Sequence, residues 1–455
     1  MSLQTPNSIR RLQRKLYVKA KAEPDFRFYL LYDKIYREDI LLHAYNVARA
    51  NDGAPGVDGI TFAEIESQGL EDWLSGIRND LRAKTYRPQP VRRVLIPKHG
   101  GGERPLGIPT IRDRVVQTAA KLVVEPIFEA DFEPTAYGYR PRRSAVQAVR
   151  DVNRLLKQGY TDVVEGDLSK YFDSIPHAAL LQSVARRIVD RHMLRLIKMW
   201  LKAPVEETDG TGKRRLTGGK TSRCGTPQGG VISPVLANLY MNRFLKYWRL
   251  TDQERRLDAK VIAYADDFVI LTRGHAAEAK RWTQAVMTQL GLTLNDTKTK
   301  LTDVTEAPCH FLGYSFGPCY HCKDRRWYVG GYPSKQSVAR LKGKVNDLLY
   351  RGNPTPWPDI RDGLNRMLRG WTAYYNQGTR VSAYQAVDNH VLHRVRHFLV
   401  KRHKDPSRGT RRFTRRTVFG ELGVLELRRV HLGPPPCARR EVGRKAVCGK
   451  SARPV

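Results

Sequence analysis

Lys260-Val-Ile-Ala-Tyr-Ala-Asp-Asp-Phe-Val-Ile-Leu-Thr272 is the stretch that decides how this chain reads. Apolar and β-branched residues run on both sides of two adjacent carboxylates, Asp266 and Asp267. The pattern predicts a β-hairpin with two acids at its tip. Burial cannot stabilise such a tip, because unpaired carboxylates in apolar surroundings are costly. A positive counter-charge is implied, and a bound divalent cation is the natural one. Asp-Asp is common in solvated surface turns, but these flanks are too apolar for an ordinary one.

A second acid strengthens the reading. Asp162-Val-Val-Glu-Gly-Asp-Leu-Ser-Lys-Tyr-Phe-Asp-Ser-Ile-Pro-His177 runs from a short strand into a turn, and Asp167 falls where the strand ends. Strand-end acids far apart in sequence can meet on one sheet. That geometry suits a two-metal clamp, with ions about 3.5–4 Å apart on the attacking and leaving oxygens of a phosphoryl transfer. Asp173 lies six residues on. It is expected to cap the helix around Pro176 or to form a local ion pair rather than to be a third ligand.

Further motifs follow in order along the chain. They are Gly53-Ala-Pro-Gly-Val-Asp-Gly59, Ile96-Pro-Lys98 with Arg104-Pro-Leu-Gly-Ile-Pro-Thr-Ile-Arg-Asp-Arg114, and Tyr137-Gly-Tyr-Arg-Pro141. Gly225-Thr-Pro-Gln-Gly-Gly-Val-Ile-Ser-Pro234 comes before the Asp-Asp hairpin. Gly291-Leu-Thr-Leu-Asn-Asp-Thr-Lys-Thr299, Phe311-Leu-Gly313 and Leu368-Arg-Gly-Trp-Thr-Ala-Tyr-Tyr-Asn-Gln-Gly378 come after it. Together with the acids, these stretches resemble the motifs of group II intron reverse transcriptases, or maturases, of the bacterial type. The resemblance covers roughly residues 30 to 430.

The fold expected is α+β. A right-hand polymerase with fingers and a ferredoxin-like palm precedes an α-helical thumb/maturase domain. Residues 1–52 read as an N-terminal extension with helical character, 53–318 as fingers and palm, and 319–430 as thumb with a basic C-terminal region. Residues 431–455 read as a disordered basic tail. Val94–Pro97 and Leu106–Pro109 flank His99-Gly-Gly-Gly102 as a fingers hairpin, and a long amphipathic helix is expected from Ala178 to Leu201. The palm then reads strand, helix, hairpin, helix, strand, which is the ferredoxin-like arrangement. Three apolar stripes, around Leu341, Leu364 and Val391, predict three thumb helices.

The resemblance implies attack of a primer 3′-hydroxyl on the α-phosphate of a deoxynucleoside triphosphate, directed by an RNA template. Asp167 and Asp266 are then the principal ligands of Mg2+, with Mn2+ as an alternative, and Asp267 is an outer partner. Lys98 and Arg104 flank the fingers turn, where the arginine fork suits a triphosphate. Phe172 stands five residues after Asp167, where related polymerases carry an aromatic that crowds the sugar 2′ position. Gln228 and Gly229 belong to the template-and-nucleotide block, and glycine permits close backbone approach. Lys298 matches a proposed proton donor to pyrophosphate, although a lysine on a loop is usually a solvated charge. Tyr264 is read either as primer support or as packing of the hairpin.

Composition agrees. There are 80 Lys and Arg against 45 Asp and Glu, a net charge of +35, which favours a polyanionic partner. From Val391 to Val430, twelve Lys and Arg stand against Asp405, Glu421 and Glu426. Within this run Arg394, Lys401, Arg411, Arg412, Arg415 and Arg416 are assigned to RNA phosphates. The partners implied are intron RNA, an RNA template with its DNA primer, and a DNA target. The N-terminus lacks an apolar signal core and no stretch approaches a membrane span, so a cytoplasmic, nucleoid-associated protein is expected. Cys309-His310 and Cys319-Tyr-His-Cys322 have zinc-like spacing but no clean second pair, and zinc is not expected. Cys437 and Cys448 are too isolated to make an H-N-H endonuclease. Two alternatives stay open: a host-adopted relative working without an intron, as in defence, and an RNA-binding splicing factor that no longer polymerises.

Overall fold

The computed structural model describes residues 4–97, 102–208, 213–321, 325–404 and 406–430, and divides into two compact units, Met1–Thr302 and Asp303–Val455. Lys98, Cys322 and the tail from residue 431 lie outside the described residues.

Two sheets organise the first unit. The strands are β1 (Val91–Pro97), β2 (Glu103–Ile108), β3 (Asp162–Gly166), β4 (Pro204–Thr208), β5 (Arg214–Gly218), β6 (Ala259–Tyr264), β7 (Asp267–Thr272) and β8 (Lys300–Asp303). The fingers sheet has the order β2-β1-β4-β5 and the palm sheet the order β6-β7-β3-β8. Read as β8-β3-β7-β6, the palm places its fourth, first, third and second strands side by side. Helix Ser233–Leu250 comes between the first and second, and helix Ala276–Gln289 between the third and fourth. This is the ferredoxin-like order expected. β7 is central, and Phe268 to Thr272 are all buried. That burial explains a continuous apolar run in place of alternation.

Residues 4–52 share the core of this unit. Ile9, Leu16, Leu31 and Ile35 are buried in one cluster with Val123 and Ile127 of helix Ile111–Glu129. The fingers hairpin forms as expected on its described residues, with Ile96 opposite Arg104. β4 and β5 were not anticipated.

The single long helix expected from Ala178 to Leu201 is instead two, His177–Ala185 and Arg191–Leu201. The break is made by a distant segment. Phe28 N–H donates to the Arg187 carbonyl at 2.7 Å, and Val189 N–H donates to the Phe28 carbonyl at 2.9 Å. Asp190 then caps the second helix, accepting from His192 and Met193 N–H. It also accepts from Leu31 and Tyr32 N–H, both at 2.8 Å. Four backbone donors on one carboxylate are a strong reason to stop a helix there.

The second unit carries β9 (Cys309–Phe311), β10 (Tyr314–His321) and β11 (Arg326–Pro333), in the order β11-β10-β9. Helices Lys335–Leu348, Trp357–Tyr374 and Val381–Arg402 follow. Leu341, Leu364 and Val391 sit in their common core, as the apolar stripes predicted. Phe413, Val418, Val424 and Leu427 close that core from the C-terminal side. Among the described residues no helix is long and apolar enough to cross a membrane.

Asp190→Ala is expected to destabilise the protein by about 1–3 kcal/mol in urea unfolding at neutral pH, because four backbone donors lose their acceptor. Although burial opposes it, those donors hold the Asp190 carboxyl below its usual range. Its contribution is therefore full above the unfolded carboxylate range and is lost as pH falls through the folded value. A variant whose unfolding midpoint equals wild type would remove Asp190 from this role.

Candidate active site

The register of β3 against β7 assembles the acids. Gly166 pairs with Phe268 in antiparallel fashion. Continued by one residue, that register sets Asp167 opposite Asp267. The β6–β7 hairpin pairs Tyr264 with Asp267, leaving Ala265 and Asp266 as its two-residue turn. Ala265 has φ +58°, a left-handed conformation that costs a non-glycine residue about 1–2 kcal/mol. The turn is held from behind. Tyr137 N–H donates to the Ala263 carbonyl at 2.8 Å, and Ala263 N–H donates to the Thr135 carbonyl at 2.9 Å. Gly138 then passes so close that a Cβ there would overlap the Ala265 backbone. This accounts for the glycine of Tyr137-Gly-Tyr-Arg-Pro141.

Asp167 is steadied from the other side. Its carbonyl accepts Asn295 N–H at 2.8 Å, and Ser169 N–H donates to the Thr293 carbonyl at 2.9 Å. The same loop brings Lys298 Nζ to 3.5 Å from the Asp167 carboxylate. Asp267 is open at its surface. Even so, the protein packed around its carboxyl raises it, the charges of Asp266 and Asp167 add to this, and it is pushed up to about 6. The three carboxylates thus share one electrostatic environment. Tyr139, raised first by burial and next by Asp266, faces the same group.

The Gln228 loop ties the fingers to this corner. Gly107 N–H of β2 donates to the Gln228 carbonyl. Gly229, at φ +110°, lies so close to Gly107 that a Cβ would overlap its carbonyl oxygen. Arg104 Nε donates to Gln228 Oε1 at 3.2 Å, and Gln228 Nε2 donates to Asp173 Oδ2 at 3.3 Å. Asp173 therefore does not cap the helix around Pro176, whose N-cap has no side-chain bond. Its carboxylate is taken by Gln228, a partner 55 residues away. Thr226 N–H donates to the Phe172 carbonyl at 2.7 Å. The Phe172 ring itself is 6 % exposed and belongs to the core. Tyr264 is half-buried. Gly107, Gly138 and Asn295 do not stand out from sequence, though all three lie inside the motifs quoted above.

The C-terminal cations divide into two groups. Arg394 donates to the Leu349 carbonyl at 2.9 Å. Arg415 pairs with Glu426 and with Asp388, the latter at 3.7 Å and 1 % exposed. Both arginines therefore hold the fold of their own unit. Lys401, Arg411, Arg412 and Arg416 are exposed. Cys309 and Cys319 are buried on β9 and β10, and His310 Nδ1 lies 2.9 Å from the Ser315 hydroxyl.

Comparison with known proteins agrees with this geometry. The reverse transcriptase (RNA-dependent DNA polymerase) family matches residues 96–316, and the maturase-specific domain of group II introns matches residues 338–418. Protein YkfC of Escherichia coli K12 is 35% identical over 343 residues, 67% of this chain and 87% of that protein. Group II intron-encoded protein LtrA of Lactococcus lactis subsp. cremoris is 30% identical over 350 residues, 63% of this chain. The match spans 56% of LtrA, a little over half its length. A solved telomerase from Candida albicans aligns with a TM-score of 0.40 and 12% identity over 81% of this chain and 70% of that one. With a polymerase corner in the first unit and a maturase-type helical region in the second, the chain belongs to the group II intron reverse transcriptase/maturase family and is by class an RNA-directed DNA polymerase.

Proposed function

We propose that this chain extends a DNA primer on an RNA template, binds its intron RNA to assist splicing, and copies the intron at a DNA target by target-primed reverse transcription. One observation carries the reading. Asp167, Asp266 and Asp267 meet at the end of the palm sheet, beside a glycine-rich loop bonded to the fingers.

A divalent cation, Mg2+ or Mn2+, fits this corner. Three carboxylates repel one another there, and a lysine ammonium already stands 3.5 Å from one of them. Among the described residues no three Asp, Glu, His or Cys side chains are gathered tightly enough to hold an ion alone. That suits Mg2+, which typically takes one or two carboxylates and completes its shell with water and substrate phosphates. Asp167 and Asp266 would hold it, with Asp267 as an outer partner. When bound, such ions supply charge neutralisation at the attacking and leaving oxygens.

The chain's own residues orient the reactants. The primer 3′-oxygen bonds to the α-phosphorus of the deoxynucleoside triphosphate, and pyrophosphate leaves. Arg104, aligned by Gln228, presents its fork to the triphosphate. Gln228 and Gly229 offer backbone to the new base pair, Phe172 is assigned to crowd the sugar 2′ position from its place at the edge of the core, and Tyr264 supports the primer end. Lys298 is assigned to protonation of the leaving pyrophosphate, and Lys98 joins Arg104 at the fingers turn. Lys401, Arg411, Arg412 and Arg416 bind RNA phosphates.

Primer extension on an RNA template tests the central claim. Asp167→Asn and Asp266→Asn should each abolish DNA synthesis while RNA binding is retained. Extension by either variant at close to the wild-type rate refutes the assignment. A wild type that binds intron RNA but never extends a primer would favour the splicing-factor alternative.

The divided arginines make a second test. Replacing Arg411, Arg412 and Arg416 with Ser should weaken RNA binding and flatten its salt dependence, by about one unit of log–log slope or less for each phosphate no longer neutralised. Arg415→Ser should instead lower the unfolding midpoint, because it removes a shared cationic partner of buried Asp388 and Glu426. Equal stability of the two variants would contradict this division.

A third test concerns Asp267, whose carboxyl is raised from 3.8 to about 6. The folded, metal-free protein binds this proton more readily than the unfolded chain does. Asp267 therefore makes that protein more stable as pH falls through this window, the opposite sign to Asp190. In chelator, Asp267→Asn should be more stable than wild type at about pH 7.5, and its advantage should narrow by about pH 5. A difference in urea midpoint that does not vary with pH would show that the carboxyl titrates normally.

A further inference from the structure

The β10–β11 hairpin falls between the two family matches, which end at residue 316 and resume at 338. Its lower half is ordinary core, with Tyr314 and Phe316 fully buried. Its upper half is different. Trp327 is 72 % exposed and Tyr320 46 % exposed. The two stand opposite each other in the strand register, with ring centroids 5.3 Å apart and planes at 56°. A single exposed aromatic needs no explanation. Two packed together at the outer end of a hairpin, with their surfaces in solvent, form an apolar platform that folding does not use.

Charge and rigidity say what covers it. Arg325 and Arg326 are both exposed and adjoin Trp327 in sequence. Across residues 314–333 the sequence sets Lys323, Arg325 and Arg326 against a single acid, Asp324. The hairpin is also tied down. Tyr328 OH bonds with Thr379 Oγ1, Thr379 N–H donates to the Gly331 carbonyl at 2.8 Å, and Ser334 N–H donates to the Gly313 carbonyl at 3.0 Å. A platform ordered in advance loses less freedom on binding. An aromatic face bordered by guanidinium groups matches an unpaired base with its phosphates, since every base has a π-face and every linkage a negative charge. A paired helix hides its base faces and offers phosphates alone.

We propose that Trp327, backed by Tyr320 and flanked by Arg325 and Arg326, is a stacking site for single-stranded RNA. The proposal rests on the reading that this chain binds RNA, and adds a site with a preference for unpaired strands.

The test uses the full chain without nucleotide or primer. Fluorescence anisotropy compares wild type, Trp327→Ala and Trp327→Phe on a labelled, unstructured adenosine RNA and on an RNA duplex of equal length. Trp327→Ala should weaken single-strand binding by a factor of roughly 5 to 150, the range for removing one stacked base. Trp327→Phe should keep most of the affinity, and duplex binding should not change. The salt slope should be that of wild type, because stacking releases no counterions. A Trp327→Ala protein that binds the single strand as wild type does, or loses both RNAs alike, overturns the stacking site. A wild type that binds neither RNA overturns the RNA-binding reading, and this site with it.

Discussion

The pairing of β3 with β7 is the constraint on which the first unit turns. It sets Asp167 opposite Asp267, and the β6–β7 turn adds Asp266 beside them. Burial of its carboxyl, and after that the like charges of Asp266 and Asp167, push Asp267 up to about 6. Such a corner cannot be packed shut, because buried unpaired carboxylates are too costly. Nor can it hold itself in place. Its rigidity comes from neutral backbone on either side: the 135–138 segment behind Ala265, and the 293–295 segment along Asp167. Hydrogen bonds of this kind fix position without cancelling the negative charge.

Backbone and side-chain bonds also fix the Gln228 loop. Gln228 gives its carbonyl to β2 and its side chain to Arg104 and Asp173. One residue thereby links fingers, loop and the segment after β3. Gly229 is glycine because β2 passes too close for a side chain. A change at either position therefore shifts the fingers relative to the acids as well as altering a local bond. Positioning of this kind matters because small displacements of reacting groups carry large rate costs.

Much of this was legible because it is local. The apolar flanks of Asp266-Asp267, the strand ending at Asp167 and the apolar stripes of the thumb helices all lie within short windows, where periodicity speaks directly. What was not legible depends on partners far away in sequence. Nothing near residue 190 announces a helix break, because the acceptors there serve Leu31 and Tyr32, 159 and 158 residues away. Asp173 reads locally as a cap, and only the fold brings Gln228 to it. β4 and β5 were missed although Asp209-Gly210 is a hairpin signal in the sequence. The apolar alternation beside it is weak, as expected of strands whose residues are all half-buried or exposed. Arg394 and Arg415 look like their exposed neighbours in sequence, and only the fold tells them apart, by the Leu349 carbonyl for Arg394 and by buried Asp388 and Glu426 for Arg415.

That last distinction bears on the whole charge balance. A net charge of +35 works against a compact state through self-repulsion. The most buried carboxylates meet this by taking fixed structural partners. Asp113 accepts Tyr86 OH at 2.6 Å and Gln89 N–H at 3.0 Å, and Glu133 pairs with Arg249 at 3.1 Å. Asp190 binds four backbone N–H groups, and Asp388 accepts Leu427 N–H at 2.8 Å beside Arg415 and Arg428. With such acids engaged inside, the excess of cations is left at the surface, where high dielectric and salt keep repulsion small. A polyanion laid across that surface removes the remaining repulsion and releases its own counterions. The acids thus fall into two groups. Those with partners hold the fold, and the three at the end of the palm sheet crowd one corner, with Lys298 Nζ 3.5 Å from Asp167.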